Sequence, residues 1–250
     1  MKKRKVGIVI QARMGSTRLP GKVLKKIYKD DSVLDILIKR VKVCKEIDEI
    51  IIATTPDKKN SSIINLAKSY NVSYFIGSEE NVLERYYKAA KSYDLDIIIR
   101  VTSDCPFIDP KILDEMIITY KNNNYDCLRN SYVDTNFSIG LTAEIFSFTV
   151  LEDVFRLAKT TSEKEHVTPY IYSHDELFSI VSFDKEDLKK FKDLRLTIDE
   201  EDDLKLCREV YKSLMAKCKS INFSVYDLIE IIEENPELMD INKHVKQKNL

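Results

Sequence analysis

The chain has 250 residues, 44% hydrophobic and 32% charged, with 40 Lys and Arg against 41 Asp and Glu for a net charge of -1. This is a soluble globular composition with enough chain for one large domain. A balance so near neutral argues against holding nucleic acid by bulk charge, so any anion site is local.

The basic start, M-K-K-R-K, runs into an apolar stretch of about five residues, too short for a signal-peptide core or a membrane span. No later segment reaches membrane length, so no membrane partner is expected. Five cysteines (Cys44, Cys105, Cys127, Cys207, Cys218) are scattered without a C-x-x-C pair. An odd count without a secretion signal predicts reduced thiols in a cytoplasmic protein.

Residues 6–10 (V-G-I-V-I) read as a strand apolar enough to be buried on both faces. A flexible loop over 11–22 follows. Ser32 is the predicted N-cap of a helix running to about Lys45. Segments 49–54 and 72–76 read as strands, with an amphipathic helix over 57–70 between them. A helix over 81–92, a strand over 96–101 and a helix over 110–122, with Pro110 in its first turn, complete four strand–helix units. Such alternation predicts an α/β fold, a mostly parallel sheet flanked by helices. From 125 to 183 the pattern loosens into short strands over 143–146 and 178–183 and helices over 150–159 and 163–173. This smaller subregion is expected to complete the sheet and build an acceptor-side lid or subunit contact within a single domain, 1–250. Segment 194–198 (L-R-L-T-I) reads as another strand, 200–217 and 224–233 as helices, and the charged tail from Glu234 as peripheral.

The loop at 11–22 reads Q-A-R-M-G-S-T-R-L-P-G-K. Gly15, Ser16, Thr17 and Gly21 let backbone amides turn toward a ligand, and Arg13, Arg18 and Lys22 place three cations within ten residues. Amides and charge together replace the hydration shell of a polyphosphate, so this turn reads as a phosphate site. Parallel sheets bind ligands at the carboxyl ends of their strands. T-S-D-C-P at 102–106 ends the fourth strand and should share a crevice with the loop. Asp104 is thereby placed to hold Mg²⁺, which takes one or two carboxylates plus substrate phosphates. Asp199, after L-R-L-T-I, reads by position alone as a helix cap. Opposite Asp104 it gains weight as a second metal carboxylate. Of the four acidic residues after it, Glu200 to Asp203, most read as solvated first-turn charges.

Arg85 follows G-S-E-E-N at 77–81 on the same rim, within reach of a phosphate or sugar acid, or else as a solvated arginine on an amphipathic helix. His166, in K-E-H-V-T-P-Y, is one of three histidines and has no local nucleophile to pair with. The dinucleotide turn G-x-G-x-x-G, the P-loop, the G-x-S-x-G elbow and H-E-x-x-H are all absent.

At this point a resemblance adds to the reading. A-R-M-G-S-T-R-L-P-G-K resembles the signature loop of cytidylyltransferases that activate acidic sugars, such as the KDO and acylneuraminate enzymes. Within that group it is most similar to the spore coat polysaccharide biosynthesis branch. The likeness continues through G-S-E-E-N-V-L-E-R-Y at 77–86, R-V-T-S-D-C-P-F-I-D-P at 100–110, K-E-H-V-T-P-Y-I at 164–171 and L-R-L-T-I-D at 194–199. It implies a Rossmann-like, GT-A-like nucleotidyltransferase fold and Mg²⁺-dependent transfer of CMP from CTP to an acidic sugar, releasing pyrophosphate. It also implies a homodimer and a role in surface polysaccharide biosynthesis. On this likeness Arg13 and Lys22 grip the triphosphate and act with Asp104 in catalysis. Ala12, Gly15, Ser16, Arg18 and Thr102 complete the nucleotide site, Asp104 and Asp199 bind the metal, and Arg85, Glu144 and His166 contact the acceptor.

Two departures fall in the acceptor half: Thr142 where relatives commonly carry aspartate, and Lys164 where they commonly carry arginine. They leave the nucleotide half intact and bear on the identity of the sugar. One rival reading is a glycosyltransferase on a related fold, but such enzymes carry D-x-D after a strand and here the turn reads S-D-C. The other is a non-catalytic binding subunit, against which stand Arg13, Lys22, Asp104 and Asp199.

Overall fold

The apolar runs at the start of the chain become the middle of a sheet because they have no polar face to show to water. Ile8, Val9, Ile10, Ile51, Ile52, Ile97, Ile98 and Ile99 are all 0% exposed. The computed structural model describes residues 3–130 and 134–247. Its first half runs β1 (Val6–Gln11), a hairpin of β2 (Lys26–Tyr28) and β3 (Asp31–Ser32), α1 (Val33–Val41), β4 (Glu49–Thr54), α2 (Ser61–Ser69), β5 (Ser73–Ile76), α3 (Val82–Ser92), β6 (Ile97–Thr102) and α4 (Pro110–Lys121). The second half adds β7 (Cys127–Arg129), β8 (Glu144–Ser147), α5 (Phe148–Leu157), α6 (Thr161–His166), α7 (Pro169–Tyr172), β9 (Ile180–Ser182), α8 (Glu201–Cys218) and α9 (Val225–Glu234).

Seven of the strands form one sheet in the order β5-β4-β1-β6-β8-β7-β9. β5, β4, β1 and β6 are parallel, while β8 runs antiparallel to both β6 and β7. The chain leaves β1 toward β4 and β5, then returns to place β6 on the other side of β1. That reversal makes the β1–β6 boundary the switch point of the sheet, where a crevice opens past the carboxyl ends of the strands. Gln11 pairs with Thr102, so the loops after β1 and β6 leave the sheet side by side.

Strand alternation separates two cores. Ile8, Ile10, Ile97 and Ile99 pack with α1, α4, α8 and α9, whereas Val9 and Ile98 pack with α3 and α5. Arg40 of α1 is buried in the first core. It donates to the carbonyls of Ile108 at 2.9 Å, Ile221 at 2.6 Å and Phe223 at 3.0 Å, tying α1 to the α8–α9 connection. No helix among the described residues is long and apolar enough to cross a membrane.

Several elements differ from the sequence expectation. α1 ends at Val41, short of Lys45. The helix predicted over 163–173 is split at Val167, whose φ of 72° ends α6; α7 then starts afresh with Pro169 at its first position, where the missing N–H costs no helical hydrogen bond. The strand predicted over 178–183 contracts to β9. β7, only three residues long, was too short to show a period.

Among the described residues, the strand predicted over 194–198 joins no sheet. It is extended chain with one bridge, Ile139 to Arg195. It is pinned by Leu196 N–H to the Ile139 carbonyl at 2.8 Å and by Ile198 N–H to the Asp104 carbonyl at 2.9 Å. Its alternating Leu194, Leu196 and Ile198 are buried as in a strand, which is why the pattern read as one. The tail from Glu234 is not peripheral as expected: Leu238, Met239 and Ile241 pack against the core and Asn242 is buried. Residues 248–250 of that tail lie outside the described residues.

Gly140 permits the close approach of 194–198. Its φ is 102°, and a Cβ there would sit 2.4 Å from the Leu196 carbonyl carbon. Gly140→Ala is expected to cost about 3 kcal/mol or more through backbone overlap and strain. At Gly15 the nearest atom to a built Cβ is 3.9 Å away, so Gly15→Ala should stay within about 0.5 kcal/mol. Urea unfolding of the two variants checks both values.

Candidate active site

The loop after β1 is held open by its own backbone. The Met14 carbonyl accepts the N–H groups of both Ser16 and Gly21 at 3.0 Å, and Gly21 sits at φ 67°. The Met14 N–H donates to Asn60 Oδ1 at 2.8 Å, anchoring the loop to the start of α2. Among the described residues, the N–H groups of Arg13, Gly15, Thr17 and Arg18 donate to no protein acceptor. The loop then closes into a short 3₁₀ turn, Lys22–Leu24.

That turn brings Lys22 to the centre of the crevice. Its Nζ donates to Asp104 Oδ2 at 2.7 Å and to Asp199 Oδ1 at 2.9 Å. Burial works to lower the Lys22 ammonium, but Asp104 and Asp199 outweigh it and raise its pKa above the ordinary 10.5. Burial works to raise the Asp104 carboxyl, but the Lys22 charge and hydrogen bonds from Lys22 and Thr102 hold it below the ordinary 3.8. The second oxygen of Asp199 accepts from Arg18 at 2.9 Å and from Arg195 at 2.7 Å. Asp199 is therefore not the cap of α8. Glu200 stands at that position, and Asp203, in the first turn, reaches back to it: one of its oxygens accepts the N–H groups of Asp199 at 2.9 Å and Glu200 at 3.0 Å. Asp203, read from sequence among mostly solvated charges, is 0% exposed.

Two cavities meet at this point. The smaller, about 300 Å³, is walled by Ala12, Arg13, Gly15, Ser16, Thr17 and Lys22 of the loop, together with Arg85 and Glu165. The larger, about 680 Å³, is walled by Arg100, Arg129, Thr142, Glu144, Tyr172 and Gln247. Gln11, Arg18, Thr102, Asp104, His166 and Asp199 line both.

The structure thus brings every sequence-predicted site residue to one crevice, in different states. Arg13 is the most exposed of the loop cations, with Glu79 at 3.6 Å. Arg85 is not solvated: it is 2% exposed, donates through Nη1 to the Ser78 carbonyl, and leaves its Nε without a partner among the described residues. Glu144 is saturated by Arg100 at 2.5 Å, Thr168 at 3.0 Å and the Tyr172 hydroxyl. Burial pulls the His166 pKa below 6.5, with Glu165 opposing and Arg100 adding to the fall, so its ring is neutral at pH 7. Thr142 faces the larger cavity; Lys164 lines neither.

Sequence reasoning missed Arg100, Arg129, Arg195, Asp203 and Gln247 as site residues. The available signal was a charge inside an otherwise buried run, as in I-I-I-R-V and L-R-L-T-I, because such charges persist only when paired. The Cys105 thiol also faces the larger cavity, but burial and the neighbouring Asp104 push its pKa up, so it stays protonated and is no nucleophile.

A model of the cytidylyltransferase family matches residues 7–240. The chain belongs to the cytidylyltransferase family. An uncharacterized protein of Methanocaldococcus jannaschii is 39% identical over 96% of both chains. The spore coat polysaccharide biosynthesis protein SpsF of Bacillus subtilis is 34% identical over 92% of this chain and 94% of that one. The structure of a cytidylyltransferase from Leptospira borgpetersenii matches with a TM-score of 0.86 and 36% identity, covering 99% of this chain and 100% of that one. This cytidylyltransferase is accordingly a CTP-dependent nucleotidyltransferase.

The donor set between the cavities fits a hard divalent cation. Two carboxylates already share one ammonium, and Mg²⁺ uses one or two carboxylates alongside substrate phosphates. No group of three or more His, Cys, Asp or Glu residues able to hold a metal occurs among the described residues.

Lys22→Met removes the cation from a largely buried carboxylate pair and should destabilise the protein by on the order of 3 kcal/mol at pH 7.5. In the wild type the lowered Asp104 pKa contributes stability that is present above 3.8 and lost only as pH falls through the folded value. Without Lys22, burial dominates and raises that pKa, so the sign reverses. The variant should lose stability as pH rises above 3.8, its melting temperature falling until Asp104 is ionised, while the wild type shows no such fall. Thermal scans across that range provide the comparison.

Proposed function

We propose that this cytidylyltransferase transfers CMP from CTP to an acidic sugar, releasing pyrophosphate. The observation that carries this reading is one crevice with a phosphate loop on one side, an arginine-lined cavity on the other, and Lys22, Asp104 and Asp199 at the waist between them.

In this reading Arg13, Arg18, Lys22 and the open amides of the loop neutralise the triphosphate. Ala12, Gly15, Ser16 and Thr102 shape its seat. Asp104 and Asp199 would hold Mg²⁺, which when bound supplies charge neutralisation of the phosphate oxygens. An oxygen of the acceptor, entering from the larger cavity, attacks the α-phosphorus in line. Such transfers depend on positioning and charge stabilisation rather than on a protein nucleophile, in keeping with the protonated Cys105.

The acidic character of the acceptor is supported by Arg100 and Arg129, which line the larger cavity. Each has a buried Nε–H with no acceptor among the described residues. A buried donor without a partner marks a hydrogen bond that the described residues do not supply. Glu144 and Tyr172 hold Arg100 and the cavity wall in place, and neutral His166 stands at the waist able to donate or accept. The resemblance to enzymes that activate sugar acids points the same way. We further take segment 125–183 as the acceptor wall and subunit contact of a cytoplasmic homodimer serving surface polysaccharide biosynthesis.

Pyrophosphate release measured with CTP, Mg²⁺ and a panel of sugar acids tests the reaction. Asp104→Ala should lower the rate about a hundredfold or more; unchanged activity would remove Asp104 from the metal site. Arg129→Ala should raise KM for the acidic acceptor about tenfold or more while leaving KM for CTP unchanged. Equal turnover of neutral and acidic sugars would exclude an acid-specific site.

A further inference from the structure

Asp199 is oriented by a set of contacts that ends beyond residue 240, where the family match stops. The first contact is Arg195, which donates from Nη2 to Asp199 Oδ2 at 2.7 Å. Arg195 is itself aimed from two sides. Its Nε donates to Asp203 Oδ1 at 2.9 Å and its Nη1 to Gln247 Oε1 at 2.6 Å. Asp203 has no exposure to water, so every hydrogen bond to its carboxylate must come from the protein. Asn242 supplies one of them, donating from Nδ2 to Asp203 Oδ1 at 2.8 Å. The same Nδ2 donates to the Arg195 carbonyl at 3.0 Å, and Asn242 is 2% exposed. One buried amide thus ties the backbone of residue 195 to the side chain of residue 203.

The chemistry of these two groups matters. Arg195 already carries two carboxylates, Asp199 and Asp203. A third anion would compete with Asp199 for the guanidinium. Asn242 and Gln247 satisfy the remaining hydrogen bonds without adding charge, so Arg195 keeps its hold on Asp199. Gln247 also lines the larger cavity.

We propose that segment 242–247 is a positioning element of the active centre. Asn242 and Gln247 hold the Arg195–Asp203 pair, which sets the direction of the Asp199 carboxylate facing Lys22 and Asp104. The inference rests on the reading of Asp199 as a metal-holding carboxylate.

The test is Mn²⁺ binding to the full chain with CTP present, followed by electron paramagnetic resonance of the free ion, with circular dichroism to verify folding. Asn242→Ala should weaken Mn²⁺ binding about tenfold, the scale of loss seen when groups that orient metal ligands are removed. Gln247→Ala should weaken it less, and Gln247→Glu more, because the added carboxylate draws Arg195 away from Asp199. Lys246→Ala, an exposed change in the same segment, should leave it unaltered. Asn242→Ala that melts lower but binds Mn²⁺ within twofold of wild type would assign the residue a structural role only and overturn the proposal. Should Asn242→Ala not fold, the exposed Gln247 decides: two Gln247 variants that bind as wild type overturn it. Wild-type protein that takes up no Mn²⁺ overturns the metal reading and this proposal together, whereas wild-type uptake with unaffected variants overturns this proposal alone.

Discussion

Lys22 stands between Asp104 and Asp199, two carboxylates that share one largely buried crevice. Its ammonium lies within 2.9 Å of both Asp104 and Asp199. The three residues come from the loop after β1, the turn after β6 and the stretch before α8. Their meeting requires the strand order to reverse at β1, so that parallel β6 lies beside it, and residues 194–198 to lie against Gly140. Opposite charge in a low-dielectric setting is strong when paired and costly when not.

Around this centre the crevice is prepared for charge it does not itself contain. On the loop side, amides that donate to no acceptor among the described residues and arginines with sparse partners face the smaller cavity. On the other side, Arg100 and Arg129 stand over the larger one. Groups already oriented and desolvated need little reorganisation when charge arrives, which is the main source of rate in transfers of this kind. The buried, protonated cysteine at residue 105 adds packing rather than reactivity.

The relation of sequence to site is clearest at particular residues. Lys22 and Asp104 were legible because each sits in a short motif directly after a strongly apolar strand, and strand ends in parallel sheets point to one rim. Asp199 was half legible: its position before a helix suggested a cap, while the pairing with Asp104 and the family resemblance placed it in the same crevice, and the structure adds Arg18 and Arg195 as its partners. Asp203 was misread because first-turn acids are ordinarily solvated, whereas here the turn is buried beneath Arg195 and Asn242. Arg195 itself was hidden in L-R-L-T-I, whose alternation imitates a strand although the segment makes a single bridge.

Local composition determined the strand–helix alternation, the glycine- and cation-rich loop and the kinship of five ordered motifs, because apolar periodicity and loop chemistry act over a few residues. What only the tertiary structure decided is which distant groups share charge. Lys22 between Asp104 and Asp199, Arg195 between Asp199 and Asp203, and the tail amides of Asn242 and Gln247 on Arg195 join residues widely separated along the chain. Pairing of this kind is set by the distance and burial that packing imposes, and neither quantity is written in the spacing of the residues along the chain.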